Sequence, residues 1–187
     1  MKIRLAVNEI QRDSIVDGEG IRSVIWTQGC IHNCSGCHNP ETHSFQDGFL
    51  VDVEVLKEKI SHLEGQDGIT FSGGDPMEQA EACCEIAKYC KSLGLNVWCY
   101  TGYTFEELLK KAEHFKGIMS FLENIDVLVD GKFEMKEKSY DVMFRGSKNQ
   151  RLIDVKVSLA NDKVVELKKY DVISKKQIVG KKQRLYV

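Results

Sequence analysis

The sequence has no apolar run long enough to span a bilayer, no internal repeat, no low-complexity tract and only two prolines, Pro40 and Pro76. The first absence excludes a helical membrane protein, and the others exclude solenoids and linker-joined arrays. The opening residues, Met1-Lys2-Ile3-Arg4-Leu5, lack the apolar stretch of a signal peptide, so the cytoplasm is the expected compartment. What is present, 42% hydrophobic and 29% charged residues in 187, fits one ordinary globular domain with a real core. The whole chain, 1–187, reads as a single domain: a core of about 150 residues and a C-terminal extension over about 151–187.

Charge is low overall, at −2, but unevenly spread. Residues 151–187 hold ten Lys or Arg against four Asp or Glu, a net +6 that leaves −8 on the remainder. A solvated surface is the plain reading of that extension and an acidic partner the sharper one. Few aromatics accompany the basic residues and no base-reading module is visible, so direct nucleic-acid binding is not expected.

Strand-like and helix-like segments alternate along the middle of the chain. Residues 22–27, 68–72, 96–100 and 125–129 read as strands. Between them, Val53, Leu56, Ile60 and Leu63 recur at helical spacing behind Asp52, a candidate N-cap. Met77, Ala80, Cys84 and Ala87 mark a second helix, and Thr104-Phe105-Glu106-Glu107 is a capping box opening a third. Strand followed by helix, repeated, predicts an α/β fold with mostly parallel strands. Beyond residue 150, Ile153, Val155, Val157 and Leu159 alternate with polar residues, and Asn161-Asp162 offers a turn toward Val164-Val165. That period of two predicts a small C-terminal β appendage.

Seven cysteines stand out against this background. An odd number cannot pair completely, and cytosolic thiols stay reduced. Three fall within Gly29-Cys30-Ile31-His32-Asn33-Cys34-Ser35-Gly36-Cys37-His38, directly after the first predicted strand. In parallel sheets, loops at the carboxyl ends of strands hold ligand sites. Thiolates spaced in this way converge from one loop, and Gly29 and Gly36 let its backbone bend. Soft thiolates suit zinc or an iron–sulfur cluster. A Cys3His zinc site using His32, His38 or His43 is comparable with a 4Fe–4S cluster on this loop alone. Three cysteines on four irons would leave one iron open to a ligand. A second glycine-bearing strand end, Ser72-Gly73-Gly74-Asp75-Pro76, exposes backbone groups and a carboxylate suited to an ammonium group. By itself that segment is an ordinary turn. Cys83, Cys84 and Cys90 lie on the second predicted helix, as core residues.

Cys-x3-Cys-x2-Cys followed by Gly-Gly-Asp-Pro resembles the radical S-adenosylmethionine superfamily. Asp17-Gly18-Glu19-Gly20-Ile21-Arg22 and Trp98–Tyr103 are similar to its glycyl-radical activating enzymes. Val127–Phe133 and Arg145–Arg151 resemble the activators of anaerobic ribonucleoside-triphosphate reductase. The likeness runs from about residue 7 to about 169. It implies that Cys30, Cys34 and Cys37 ligate a 4Fe–4S cluster whose open iron chelates S-adenosylmethionine. Gly36, Cys37 and His38 would touch that cofactor, and Ser72, Gly73, Gly74 and Asp75 would hold its methionine end. Relatives commonly carry Tyr where His38 stands. Asp130 and Lys132 match a strand-end pair that faces the active site, with a solvated strand end as the equal alternative.

The resemblance further implies one-electron reduction by a flavodoxin or similar donor. Cleavage of S-adenosylmethionine would yield a 5′-deoxyadenosyl radical that takes hydrogen from a glycine of the large reductase subunit. An activase of pyruvate formate-lyase or another glycyl-radical enzyme is the nearest alternative, a non-catalytic zinc-stabilised binding module the alternative from another class, and a small electron-transfer ferredoxin, which explains neither the missing fourth cysteine nor Gly-Gly-Asp-Pro, a third. A complete β/α barrel takes roughly 250 residues, so the expected architecture is an incomplete barrel, open on the side where a protein substrate must enter.

Overall fold

The computed structural model describes residues 1–171, and the apolar runs become strands of one mixed sheet. The strands are β1 (Lys2–Leu5), β2 (Gln11–Ser14), β3 (Arg22–Thr27), β4 (Phe49–Asp52), β5 (Gly68–Gly73), β6 (Asn96–Tyr100), β7 (Val127–Asp130) and β8 (Arg151–Asp154). Their order is β4-β1-β3-β5-β6-β7-β8, with β2 paired to β3. The central four, β3, β5, β6 and β7, run parallel. β1, β2, β4 and β8 are antiparallel additions at the flanks. All four residues of β7 are buried, as are the first five of β5, which is why these strands read as continuous apolar runs rather than alternations.

Helices α1 (Val53–Ser61), α2 (Ala80–Ser92), α3 (Phe105–Ala112) and α4 (Lys116–Leu122) cover the sheet, and α5 (Val155–Ala160) follows β8. The capping box of α3 forms as predicted, with Glu107 N donating to Thr104 Oγ1 and Thr104 N to Glu107 Oε2. Asp52 occupies the N-cap of α1 without a side-chain capping bond. Ala80, Cys83, Cys84, Ala87 and Cys90 share the buried side of α2.

Among the described residues the C-terminal β appendage does not form as a separate unit. Arg151–Asp154 is a strand, but it joins the main sheet, with Ile153 opposite Leu128. The following alternation, Val155, Val157 and Leu159, is helical. The Asp154 carboxylate accepts from Val157 N at 3.0 Å and caps α5, and Val155 and Ser158 turn inward at i, i+3. A short alternating stretch carries both periodicities, and the cap decides between them. The chain then returns beside β8, where Asp154 N donates to Val165 O and Leu167 N to Leu152 O. The remainder of the basic extension, 172–187, lies outside the described residues.

At the amino-terminal edge of the parallel strands, Arg22 is fully buried. Its guanidinium donates to Thr70 Oγ1, Ile69 O, Asn96 O, Asn96 Oδ1 and Glu19 O, and lies 5.3 Å from the Trp98 ring. Burial lowers its pKa to about 10. Gly18, at φ +132°, is required here, because a Cβ would sit 2.8 Å from Arg22 Cδ. Trp98 packs edge-on against Phe144 and Tyr170. The Asp17–Arg22 segment therefore builds the floor of the sheet, and the cysteines lie at the opposite edge.

Candidate functional site

The four parallel strands end together at Thr27, Gly73, Tyr100 and Asp130, and each continues into a site loop. One cleft of about 130 Å³ lies across these ends. It is lined by Cys30, Cys34 and Cys37 with His32, His38, Asn39 and His43, by Ser72, Gly73 and Gly74, by Tyr100, Thr101 and Gly102, and by Gly131, Phe133 and Gln150. Two larger clefts, about 560 Å³ beside α2 and α4 and about 590 Å³ at the amino-terminal edge, contain none of the thiols.

Backbone contacts stitch the cysteine loop to the Gly-Gly-Asp segment. Gly74 N donates to Thr27 O and Asp75 N to Gly29 O, both at 2.8 Å. A Cβ on Gly74 would lie 2.4 Å from Gly29 O, so only glycine permits this approach. Gly36 has φ +74°, and a Cβ there would strike the Met135 methyl group. His38 stacks on Phe133 with ring centroids 4.9 Å apart.

The three thiols are half-buried. Burial raises the pKa of Cys30, opposed by the backbone N–H groups of His32 and Asn33 directed at its sulfur. Burial likewise raises Cys34, opposed by the Phe133 amide. Asn39 N donates to Cys37 Sγ at 3.4 Å, and an amide aimed at sulfur is among the contacts that tune iron–sulfur clusters, so the donor set fits such a group. The remaining cysteines do not join it. Cys83, Cys84, Cys90 and Cys99 are buried in the core and none lines the cleft, and burial raises the pKa of each thiol.

Four of the predicted residues have a geometry that bears on their roles. Asp75 has no free carboxylate edge for an ammonium group. It is fully buried and accepts from His32 Nε2 at 2.6 Å, Thr101 Oγ1 at 2.9 Å, and Gly102 N and Met77 N at 3.0 Å. Asp130 is also turned inward, accepting from Phe105 N at 2.8 Å and from both Nε and Nη2 of Arg151. Lys132 is exposed and does not line the cleft. His32, weighed above as a zinc ligand, is committed to Asp75 and packs edge-on against Tyr103 at 4.5 Å.

Thr101, Gly102, Phe133 and Gln150 belong to the site without having been singled out. Their signal was positional: each follows a strand end or lies in a segment whose resemblance was noted only as a whole.

Residues 16–153 match the 4Fe-4S single cluster domain family. The anaerobic ribonucleoside-triphosphate reductase-activating protein of Enterobacteria phage T4 is 34% identical over 143 residues, covering 73% of this chain and 86% of that protein. The protein of that name from Haemophilus influenzae is 32% identical over 146 residues, covering 73% and 89%, and that from Escherichia coli K12 is 33% identical over 145, covering 73% and 90%. Among solved structures, QueE from Escherichia coli superposes with a TM-score of 0.46 at 16% identity, over 56% of this chain and 54% of that one. With three cysteines facing a glycine-lined cleft and identity of this extent, the chain belongs to the 4Fe–4S single-cluster family of anaerobic ribonucleoside-triphosphate reductase-activating proteins.

Proposed function

We propose that this chain activates an anaerobic ribonucleoside-triphosphate reductase by generating a glycyl radical in its large subunit. The observation that carries the reading is the meeting of Cys30, Cys34 and Cys37 with Ser72, Gly73 and Gly74 across one cleft. In this reading the three thiolates hold a 4Fe–4S cluster, which when bound supplies the electron that splits S-adenosylmethionine into methionine and a 5′-deoxyadenosyl radical.

The chain's own residues bind, orient and exclude water. Gly36, Cys37 and His38 form one wall against the cofactor, and Ser72, Gly73 and Gly74 the other. His38 and Phe133, stacked at the rim, shield the cleft from solvent. Asp75 and Asp130 serve by holding the walls in place. Hydrogen abstraction from a glycine requires no general acid or base from this chain. The two ends of the sheet path, β4 and β8, fit an incomplete barrel open to a protein substrate. A single domain, a flavodoxin-like electron donor and a cytoplasmic setting complete the proposal. Among the described residues no helix is long and apolar enough to cross a membrane.

The test is anaerobic reconstitution with iron and sulfide, followed by reduction with S-adenosylmethionine and the candidate reductase. A glycyl-radical signal in the reductase by electron paramagnetic resonance is the expected result. A silent reductase beside a responding pyruvate formate-lyase would move the assignment to that partner. Colourless protein holding stoichiometric zinc would refute the radical chemistry altogether.

A further inference from the structure

We propose that His32 is a positioning residue: clamped on the Asp75 carboxylate, its imidazole holds the cysteine loop against the ends of β5 and β6. The inference rests on the reading of Cys30, Cys34 and Cys37 as cluster ligands. Between Cys30 and Cys37 few other contacts reach the loop from outside: the Phe133 amide acts on the Cys34 sulfur, and the Met135 methyl group lies against Gly36. Backbone bonds secure its start, from Gly29 N to Thr42 O and from Cys30 N to His43 O, and one local bond, Cys37 N to Cys34 O, closes a turn. Ile31, Asn33 and Ser35 are exposed. The His32 side chain is 4% exposed and reaches out of the loop to a different strand end.

A carboxylate only accepts hydrogen bonds, so Nε2 donates to Asp75 Oδ2, at 2.6 Å. Thr101 and Gly102, after β6, donate to that same oxygen, and Met77 N donates to the other. Three chain segments thus meet on one buried acceptor. The ring's position is set from below by Tyr103, edge-on at 4.5 Å. It is set from the side by Gly102, where a Cβ would lie 2.4 Å from His32 Cδ2. His32 sits two residues from both Cys30 and Cys34, so anchoring the imidazole restrains the backbone that carries two of the three sulfurs. The Asp75 carboxylate thereby serves the cluster through the loop rather than the cofactor directly. Contacts of this rank around metal ligands are worth about 10–100-fold in metal affinity.

The test compares wild type with His32→Ala and His32→Gln, since Gln keeps an N–H donor at similar reach. In the metal-free chain, iodoacetamide labelling is followed cysteine by cysteine by mass spectrometry. His32→Ala is expected to label faster at Cys30 and Cys34 with Cys90 and Cys99 unchanged. In the reconstituted protein it is expected to give up its iron at an about 10-fold lower chelator concentration, with shifted g values of the reduced cluster. His32→Gln should return both toward wild type. Should His32→Ala not fold, Gly102→Ala, which displaces the same ring, must produce the same loop-only labelling. Unchanged labelling and iron loss overturn the proposal, and so does labelling that rises equally at Cys90 and Cys99. Wild type that binds neither iron nor sulfide would instead sink the cluster reading, with the labelling comparison still judging the clamp.

Discussion

Replacing Arg151 by Met should destabilise the fold by about 3 kcal/mol, because it strands a buried carboxylate. Asp130 is 1% exposed and has three donors: Phe105 N at the start of α3, and Nε and Nη2 of Arg151. The substitution leaves one. Breaking a buried pair from one side costs about 3–5 kcal/mol. Arg151 is itself 26% exposed, so water can reach part of the vacated space, and the lower end applies. Its second contact, with half-exposed Glu106, adds at most about 1 kcal/mol. For a chain of this size about 3 kcal/mol corresponds to a fall in Tm of about 6–12 °C.

The companion substitution Asp130→Asn removes the stranded charge while keeping an acceptor for Phe105 N. In the Arg151→Met background it should recover most of the loss. The assay is thermal unfolding followed by circular dichroism, with S-adenosylmethionine binding measured on the folded double variant. A Tm within about 2–4 °C of wild type for Arg151→Met, roughly 1 kcal/mol, would show that Asp130 does not depend on its partner. Asp130→Asn with wild-type stability but no S-adenosylmethionine binding would restore a direct cofactor contact for this carboxylate.

Cys34→Ala should abolish 5′-deoxyadenosine production and lower bound iron; persistent production would remove Cys34 from the ligand set. Gly74→Ala, with its Cβ 2.4 Å from Gly29 O, should cost about 1–3 kcal/mol and impair cluster assembly, read by Tm and iron content. Arg22→Met should also destabilise, since five carbonyl or side-chain acceptors lose their donor, but iron bound per folded molecule should hold, because Arg22 lies at the far edge of the sheet. Acid should narrow the stability gap between wild type and Arg151→Met. The Arg151 hydrogen bond holds Glu106 below its ordinary pKa of 4.5, so its contribution is present above that value and lost as pH falls through the depressed one. A gap that widened in acid would contradict that sign.

The parallel centre of the fold was legible because its strands are buried on both faces, leaving apolar runs such as Val127–Val129 bounded by turn residues. The cysteine loop was legible because its spacing is local. Other features were not, for physical reasons. The antiparallel partners β1, β2 and β4 are half-exposed four-residue strands whose pairing is fixed only by long-range contacts. Val155–Ala160 alternates like a strand, and its helical state depends on a single capping carboxylate, Asp154. The orientation of Asp75 and Asp130 depended on partners 26 and 21 residues away, Thr101 and Arg151. A sequence motif can nominate a carboxylate for a site, but not say which way it faces.

That distinction bears on how such a site is assembled. The groups facing the cleft are thiols, glycine backbone, histidines and uncharged polar side chains, whereas the carboxylates of Asp75 and Asp130 nearby are turned into the body and paired. A free carboxylate in so small a cleft would compete with the sulfurs for metal and for any cationic part of a ligand. Burying Asp75 against His32, Thr101, Gly102 and Met77 removes that competitor and converts its charge into a joint between two strand ends and the loop. Asp130 does the same for β7, β8 and α3. If this division is right, neutralising either carboxylate should first show as a change in loop geometry and stability, and only through them as a change in chemistry.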